Sequence, residues 1–333
     1  MKEIAVVILN WNGKQLLEQF LPTLIEFSED AAIYVADNAS TDNSLEYIAE
    51  FHPTVTLISN KANYGYAKGY NEALKHIKEP VYCLINSDIE VTENWLKPIQ
   101  QLFASDEKIG IVQPKILDYK NKANFEYAGA AGGFIDRYGF PFCRGRLFDT
   151  IEKDQQQYND IAPIFWASGA CFFIRQNVFN QLEGFDSVFF AHQEEIDLCW
   201  RAYNQDIKTY YCGKSTVYHV GGATLKVSNP QKTFLNYRNS LLMLYKNLPN
   251  NKKFGILFKR LCLDGISGIR LMLQLRPLHC FAIIRSHFAF YGLISFYKKN
   301  VQKNSKANYY YTNSIIWEYF IRKKKYFADI KRV

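Results

Sequence analysis

The chain has 333 residues, 48% of them hydrophobic, so it can bury the core of one large domain with an appendage or of two modest domains. Its net charge of +8 is unevenly placed: residues 251–333 hold 17 Lys and Arg against three Asp and Glu, whereas the first 250 residues hold 23 basic and 29 acidic side chains. Seven scattered cysteines without a CxxC spacing argue against a disulfide framework or a zinc site and favour reduced thiols in a cytosolic protein. No signal peptide is expected, because the first apolar run, residues 4–9, is short and polar Asn10 follows it directly.

Short apolar runs alternate with helical periodicity over the first 90 residues. The runs typical of parallel strands covered on both faces are residues 4–9, 32–36, 55–58 and 81–85. Apolar residues recur at helical spacing over 14–28, 43–51 and 66–77. This alternation predicts an α/β fold with a doubly wound, mostly parallel sheet and helices on its faces.

The pattern is looser between residues 90 and 232. A helix is predicted over 93–104 and a short strand over 109–112. Residues 118–162 are polar, aromatic and rich in glycine, which favours an insertion or a loop over a substrate. Further elements are predicted in this order: a strand within 163–174, a helix over 194–203, and strands over 209–212 and 215–219.

Beyond residue 232 the chain becomes basic and aromatic-rich. Helices are predicted over 234–246, 254–275 and 278–297. The last of these is the most apolar, yet His279, Arg285 and His287 lie inside it, so it only borders on the composition of a membrane span. We therefore predict that the tail lies on an anionic membrane face, with its rings in the interface and its basic groups on phosphates. Nucleic acid is not an expected partner, because no recognisable binding module is present.

Acidic residues follow two of the predicted strands directly. Asp37 comes after the run 32–36, and Asp88 comes shortly after the run 81–85. The carboxyl ends of strands in open α/β sheets face the crevice where ligands bind, so the two acids predict one nucleotide site. With a third acidic cluster at 194–197, they suggest an enzyme that acts on an anionic, phosphate-bearing donor.

Five segments in register resemble the family 2 glycosyltransferases, inverting enzymes of the GT-A fold, and especially their rhamnosyltransferase-like branch. The segments are residues 6–13, 37–42, 63–71, 86–88 and 184–201. The resemblance covers about residues 3–245. It implies a Rossmann-like central sheet in a catalytic domain over 1–232, with a nucleotide half of about 1–90 and an acceptor half of about 91–232. Residues 233–333 would then form a basic, helical, membrane-proximal extension.

The resemblance also implies a set of donor-binding residues. Asp37 would accept a hydrogen bond from a base N–H, and the glycine-containing stretch 63–71 would bring a helix start close to phosphate or ribose. The full set is Asn10, Asn12, Asp37, Asn63, Gly65, Lys68, Asn71, Asp88, Trp166 and Arg238. Simpler structural roles stay open for several of them: a helix cap for Asn12, a core position for Trp166 and a surface position for Arg238.

The same resemblance implies a divalent metal and a general base. Asp88 would bind Mg²⁺ or Mn²⁺ with His219, which precedes Val220 and the pair Gly221-Gly222; Asn86 stands where the family often has another acid. Glu195 occupies the position of the base, usually Asp in the family, and Glu194 is its competitor.

Sugar transfer from a nucleoside-diphosphate donor to a saccharide or lipid-linked acceptor is therefore the expected activity. The expected location is cytoplasmic, at the inner face of the plasma membrane. A sugar-nucleotide nucleotidyltransferase is the alternative with the same fold, although the loop after the first strand offers only Lys14 to a triphosphate. A non-catalytic nucleotide-sugar-binding relative is the other alternative.

Overall fold

The computed structural model describes residues 2–221, 229–297 and 305–333; Gly222 of the predicted histidine motif and residues 298–304 of the predicted extension lie outside them. The strands are β1 (Ile4–Asn10), β2 (Ala31–Asp37), β3 (Thr56–Ser59), β4 (Val81–Ile85), β5 (Ile89–Val91), β6 (Ile109–Asp118), β7 (Gly133–Ile135), β8 (Pro141–Cys143), β9 (Arg146–Leu147), β10 (Thr150–Ile151), β11 (Ile161–Pro163), β12 (Cys171–Arg175) and β13 (Lys208–His219). The helices are α1 (Lys14–Glu26), α2 (Ser44–Phe51), α3 (Gly65–Ala73), α4 (Leu96–Ser105), α5 (Gln176–Gln181), α6 (Glu194–Asn204), α7 (Pro230–Asn247), α8 (Asn250–Leu273) and α9 (Pro277–Tyr297).

The first four long strands form a parallel sheet in the order β3-β2-β1-β4, as the alternating pattern predicts. β1 and β4 bury their apolar side chains on both faces, which is why they appear as unbroken apolar runs, whereas Leu57 and Ile58 of the edge strand β3 are only half-buried. The register places Asn10 opposite Asp37 at the carboxyl edge of the sheet. The polar residues that end these strands are therefore neighbours.

The remainder of the central sheet is mixed. β12 pairs antiparallel with both β4 and β6, and β13 runs parallel to β6 but antiparallel to β5 and β11. One long strand, β13, replaces the two strands predicted over 209–219, with a register irregularity between Cys212 and Thr216. β12 also begins later than predicted, because the segment before it crosses to residue 133 and pairs there.

Residues 118–162 are more ordered than the loop we expected. They contain a separate antiparallel sheet, β10-β9-β8-β7, whose Phe142 and Leu147 form a small core with Ile315 and Tyr319. The chain end thus returns to cover this sheet. In the described residues from 305 onward there are only short π and 3₁₀ turns, so the helical prediction for the extension holds for α7, α8 and α9 but not for this segment.

Helix α7 joins the tail helices to the rest of the protein. Leu241, Leu242 and Leu244 are fully buried, and α7 packs against α6 on one side and α9 on the other. Its polar residues are used as well, because Lys246 and Asn247 reach the acidic side chain of Asp197 at the start of α6. α7 therefore helps to hold the acidic cluster in place.

Candidate active site

Hydrogen bonds surround Asp37 at the edge of the sheet where the nucleotide site is predicted. Asn10 Nδ2 donates to Asp37 Oδ1 at 2.9 Å, and the Ser40 backbone N–H donates to Asp37 Oδ2 at 2.8 Å. Asn12, at a φ of 51°, accepts from the Thr41 backbone N–H at 2.7 Å, while its own N–H donates to Ser40 Oγ. Asn12 therefore fastens the Ser40 loop and does not cap α1 with its side chain.

Close packing links this edge to the segment that carries Asp88. A Cβ placed on Gly13 would lie 2.5 Å from Asn10 Oδ1 and 3.7 Å from Ser87 Oγ. Any side chain at Gly13 would therefore displace the Asn10 amide that holds Asp37. The nucleotide edge and the strand-end acid share one wall.

A second series of contacts links the Asp88 segment to the acidic cluster. The Asn86 backbone N–H donates to Ala170 O at 2.9 Å, and Tyr66 Oη donates to the adjacent Gly169 O at 2.8 Å. A Cβ on Gly169 would lie 3.7 Å from Glu195 Cδ. The three predicted acidic segments therefore converge on one cleft.

The start of α3 is arranged differently from the prediction. Gly65 has a φ of +71°, and a Cβ there would lie 2.6 Å from the Phe190 ring, so only glycine fits. The backbone N–H groups of Tyr66 and Ala67 both donate to Phe190 O, and Asn63 Oδ1 accepts from the Gly65 N–H. These amides bind protein atoms, so the prediction of free N–H groups for phosphate at this helix start is wrong.

Two other predicted donor residues on α3 have structural partners. The Asn71 amide donates to Phe185 O at 2.7 Å and accepts from the Phe185 N–H at 2.9 Å, which ties α3 to the turn before α6. Lys68 is exposed and its Nζ lies 4.1 Å from the centre of the Tyr64 ring. Asn71 is therefore a scaffold residue, whereas Lys68 keeps a solvent-accessible ammonium.

Asp88 and His219 meet because β5 pairs with the end of β13, which puts Ile89 opposite His219. His219 Nε2 lies 3.1 Å from Asp88 Oδ1, and Nδ1 lies 3.3 Å from Glu126 Oε1; all three side chains are buried. Burial disfavours the imidazolium, but the adjacent carboxylates of Asp88 and Glu126 outweigh it and raise the pKa of His219 to about 10.

Asp88 and His219 place a carboxylate and an imidazole 3.1 Å apart, and both are donor groups that a divalent cation uses, so these two residues would hold such an ion. A metal-binding histidine usually directs its other ring nitrogen to a carboxylate, which is the position of Glu126. Within residues 2–221, 229–297 and 305–333, no set of three or more His, Cys, Asp or Glu forms a complete metal cage, so the remaining ligands would have to come from substrate or water.

Glu194 and Glu195 open α6 beside this cleft. Burial raises the pKa of Glu195 to about 7 and raises that of Glu194 well above its ordinary value, with the Glu195 charge adding to the second shift. Glu194 Oε2 is buried without a hydrogen-bond partner. A carboxylate that titrates near neutral pH is suited to accept a proton from a hydroxyl group.

The residues just before α6 hold further unpaired polar atoms. His192 Nε2 and Gln193 Oε1 are buried without a hydrogen-bond partner among the residues that the structure describes, and Phe190, His192 and Gln193 all have positive φ. Such atoms cost free energy unless a ligand satisfies them, and strained backbone of this kind concentrates at functional sites. Burial, with the nearby Lys232 charge, lowers the pKa of His192 to about 4, so its ring is neutral at pH 7.

Arg238 and Asn239 on α7 hold this strained loop. Arg238 donates to Val188 O at 2.8 Å, and Asn239 Nδ2 donates to the carbonyls of Phe189 and His192. The Arg238 guanidinium therefore binds a backbone carbonyl, and the predicted contact with the diphosphate is not observed. It orders the backbone that leads to the acidic pair.

Trp166 has the core position that we left open as its alternative. The ring is buried, its Nε1 donates to Phe134 O at 2.9 Å, and a Cβ on Gly133 would overlap it. The Trp166 face does not line the cleft.

Sequence reasoning missed Glu126, His192 and Gln193. Glu126 stands alone in a glycine-rich stretch, and no spacing in the sequence connects it with His219. His192 and Gln193 directly precede the acidic pair, and that adjacency could have drawn attention to them.

The family model for glycosyl transferase family 2 matches residues 5–182, more than half of the chain. The chain belongs to this family. The sequence of this family 2 glycosyltransferase is 24% identical over 214 residues to N-acetylglucosaminyl-diphospho-decaprenol L-rhamnosyltransferase of Mycobacterium tuberculosis, an alignment that covers 59% of the chain and 68% of that protein. This match also supports the rhamnosyltransferase-like resemblance.

Two solved structures share the fold of this glycosyltransferase. Mannosyltransferase PcManGT of Pyrobaculum calidifontis, in complex with GDP-Man and Mn²⁺, superimposes with a TM-score of 0.53 at 14% identity over 87% of each chain. GalNAc-T7 with UDP, GalNAc and Mn²⁺ superimposes with a TM-score of 0.53 at 18% identity, covering 65% of this chain but only 42% of GalNAc-T7. The predicted GT-A fold and glycosyltransferase class are confirmed, and the nucleotidyltransferase and non-catalytic alternatives are not favoured.

Proposed function

We propose that this glycosyltransferase moves a sugar from a nucleoside diphosphate to a saccharide or lipid-linked acceptor by direct displacement, which inverts the anomeric configuration. The observation that carries the proposal is the convergence of Asp37, Asp88 and Glu195 along one wall of packed residues. In this assignment the residues around Asp37 bind the nucleoside. Asp88 lies at the diphosphate, and Glu195 faces the acceptor hydroxyl.

Glu195 is the proposed general base. Its carboxylate accepts the proton of the acceptor hydroxyl while that oxygen forms a bond to the anomeric carbon, and the bond from the same carbon to the diphosphate oxygen breaks. The electron pair of the broken bond leaves with the diphosphate. Burial keeps the pKa of Glu195 at about 7, so near neutral pH the group binds a proton readily yet remains largely available as a base.

Asp88 and His219 are the proposed metal ligands, with Glu126 orienting the imidazole. With Mg²⁺ or Mn²⁺ bound, the site gains the positive charge that stabilises a departing diphosphate. Both solved relatives described above hold Mn²⁺, which supports a divalent ion here. Lys68 is exposed, with its ammonium over the Tyr64 ring, and is a further candidate for diphosphate contact.

The acceptor side is assigned to the loop before α6. The unpaired His192 Nε2 and Gln193 Oε1 are suited to the hydroxyl groups of a saccharide, which both donate and accept hydrogen bonds. A lipid-linked acceptor is supported by the mycobacterial relative, whose name specifies a diphospho-decaprenol substrate. We place the enzyme at the cytoplasmic face of the plasma membrane, with domain 1–232 catalytic and extension 233–333 in contact with anionic lipid.

Donor turnover by the full chain tests this function. A panel of nucleoside-diphosphate sugars is incubated with Mn²⁺, Mg²⁺ or EDTA, and nucleotide release is measured together with the anomeric configuration of the product by NMR. We expect release from one or few donors, dependence on the cation and an inverted product. A retained configuration would contradict direct displacement by a single base.

The metal assignment is tested by Asp88→Ala, for which we expect at least about a hundredfold loss of turnover and weaker donor binding. The matched control is Glu90→Gln, two residues away, whose carboxylate pairs with Lys122 at the surface. Equal effects of the two substitutions would remove Asp88 from the site.

A further inference from the structure

One side of α8 carries a stripe of exposed apolar side chains. Its largest members are Phe254, Phe258, Ile266, Ile269 and Leu273, all more than 60% exposed. Their spacing of three, four or eight residues places them along one side of the helix. Water-facing residues of a soluble helix are ordinarily polar, so this stripe implies that something covers it.

α9 continues the same surface. It pairs antiparallel with α8, with Asp264 next to His287 and Gly268 next to Cys280. Its exposed apolar side chains include Leu278, Phe281 and Phe288. We call the two stripes and the turn between them, residues 274–276, the hairpin face; an apolar groove of about 380 Å³ runs between the helices.

The charges on the hairpin face have one sign. Lys252, Lys259, Arg270, Arg276 and Arg285 are exposed. The one acid in residues 250–297 is Asp264, which is fully buried and 2.8 Å from Arg260. An apolar stripe with basic residues along it is the pattern of a surface that binds anionic lipid, because the rings enter the interface while the cations meet phosphates.

Both ends of α9 are fastened to the catalytic part. Near its start, His279 Nδ1 lies 2.7 Å from Thr233 Oγ1 of α7, and at its end Tyr297 Oη donates to Asp186 Oδ2 at 2.8 Å. Among the described residues α9 is the one helix long and apolar enough to cross a membrane. Its fastened side is covered by α7, so lipid can surround it on the hairpin side only.

We propose that the hairpin face inserts into the interfacial region of one anionic phospholipid leaflet, with α8 and α9 lying in the membrane plane. The apolar stripes supply the binding energy, and the basic side chains select anionic lipid. A second copy of the chain fits less well, because it would bring this basic face against another one without acids to compensate. The insertion rests on the membrane contact of the proposed function, which it specifies further, but it does not depend on the proposed sugar transfer.

Sedimentation of the full chain with vesicles tests the insertion. We expect binding to phosphatidylglycerol-containing vesicles that largely survives about 1 M salt, where the Debye length is about 3 Å and electrostatic adsorption alone would be released. Phe258→Glu combined with Phe288→Glu should lower the vesicle partition coefficient by at least about tenfold. The matched control is Phe51→Glu on α2, because Phe51 is 61% exposed and the two hairpin residues are 69% and 72% exposed.

Cys262 offers a readout of depth, because it lies exposed on the outward side of α8 while the remaining described cysteines are buried or half-buried. A polarity-sensitive fluorophore on Cys262 should shift to shorter wavelength with vesicles and be quenched by nitroxide-labelled lipid. The same label on a Phe51→Cys, Cys262→Ser variant should do neither. A label at Cys262 that remains in water would overturn the proposal.

Other outcomes have equally definite meanings. The proposal would be overturned if the double Glu variant bound vesicles as well as the parent does. It would also be overturned if the double substitution converted a dimer to a monomer in analytical ultracentrifugation and left vesicle binding unchanged. Donor hydrolysis in the absence of lipid should be the same for the double variant and the parent. A variant that loses vesicle binding but still hydrolyses the donor therefore tests the hairpin face alone. A protein that binds vesicles but does not hydrolyse any donor would contradict the proposed function and leave the insertion intact.

Discussion

The first turn of α6 has two sides that differ in their electrostatics. On the side toward α7, Asp197 is fully buried and bonded to Arg201, Lys246 and Asn247. On the side toward the cleft, Glu194 is buried and Glu195 is half-buried, and neither forms an ion pair with a basic side chain of the described residues. The three acids lie within four residues of one another, yet Asp197 has a structural environment and the two glutamates have the environment of a reactive group.

Their pKa values follow from this difference. Burial raises the pKa of Asp197, but the charges of Lys246 and Arg201 more than offset it and leave the pKa below its usual range. Without such charges, burial leaves the pKa values of Glu194 and Glu195 raised. Acids whose environments push their pKa values in opposite directions mark a division between scaffold and chemistry.

The largest effect is expected from Glu195→Gln. Loss of a general base typically costs 10²- to 10⁴-fold, so we expect turnover to fall by about a thousandfold while donor affinity, measured by calorimetry, stays within about threefold. Normal turnover of this variant would mean that the base lies elsewhere, with Glu194 the next candidate.

Asp197→Ala is the corresponding change on the α7 side. It leaves Lys246 with Asp186 but removes the partner shared with Arg201, and loss of one partner from a buried ion pair costs about 3–5 kcal/mol of unfolding free energy. Urea denaturation should show this loss. Asp206→Asn is the control, because the Asp206 carboxylate is exposed just after α6 and asparagine tolerates the positive φ of 62° at this position; it should change stability by less than about 0.5 kcal/mol.

The pH profile of turnover is the third test. Glu195 must be deprotonated to act as a base, so raising its pKa to about 7 moves the acid limb of the profile upward. Turnover should therefore rise with pH to a plateau above about pH 7 and be half-maximal near that value. A limb near the ordinary glutamate value of about 4.3 would show that Glu195 is not buried during catalysis.

The smallest effect is expected from Glu194→Gln. Burial and the Glu195 charge raise the pKa of Glu194 well above its ordinary value, which favours the neutral acid, and glutamine has the same shape as that acid. Turnover should stay within about fivefold of the parent, in contrast to the loss of about a thousandfold expected for Glu195→Gln. The reverse ranking of the two variants would exchange their roles.

The sequence identified most of what depends on local pattern. β1, β2, β4 and α6 lie within a residue or two of their predicted limits, because continuous apolar runs and helical periodicity record burial directly. The small sheet at 133–151 was missed, since its strands are two or three residues long and too short for any periodicity to show.

The sequence by itself also determined the family, and it placed the proposed site residues Asp37, Asp88 and Glu195 at strand ends and a helix start in their expected order. Only the tertiary structure decided how their neighbours are used. It buried Trp166 in the core and turned Asn71 and Arg238 toward backbone carbonyls. It brought Glu126 to His219 across 92 intervening residues, because pairing between strands distant in sequence, not spacing along the chain, sets which side chains meet.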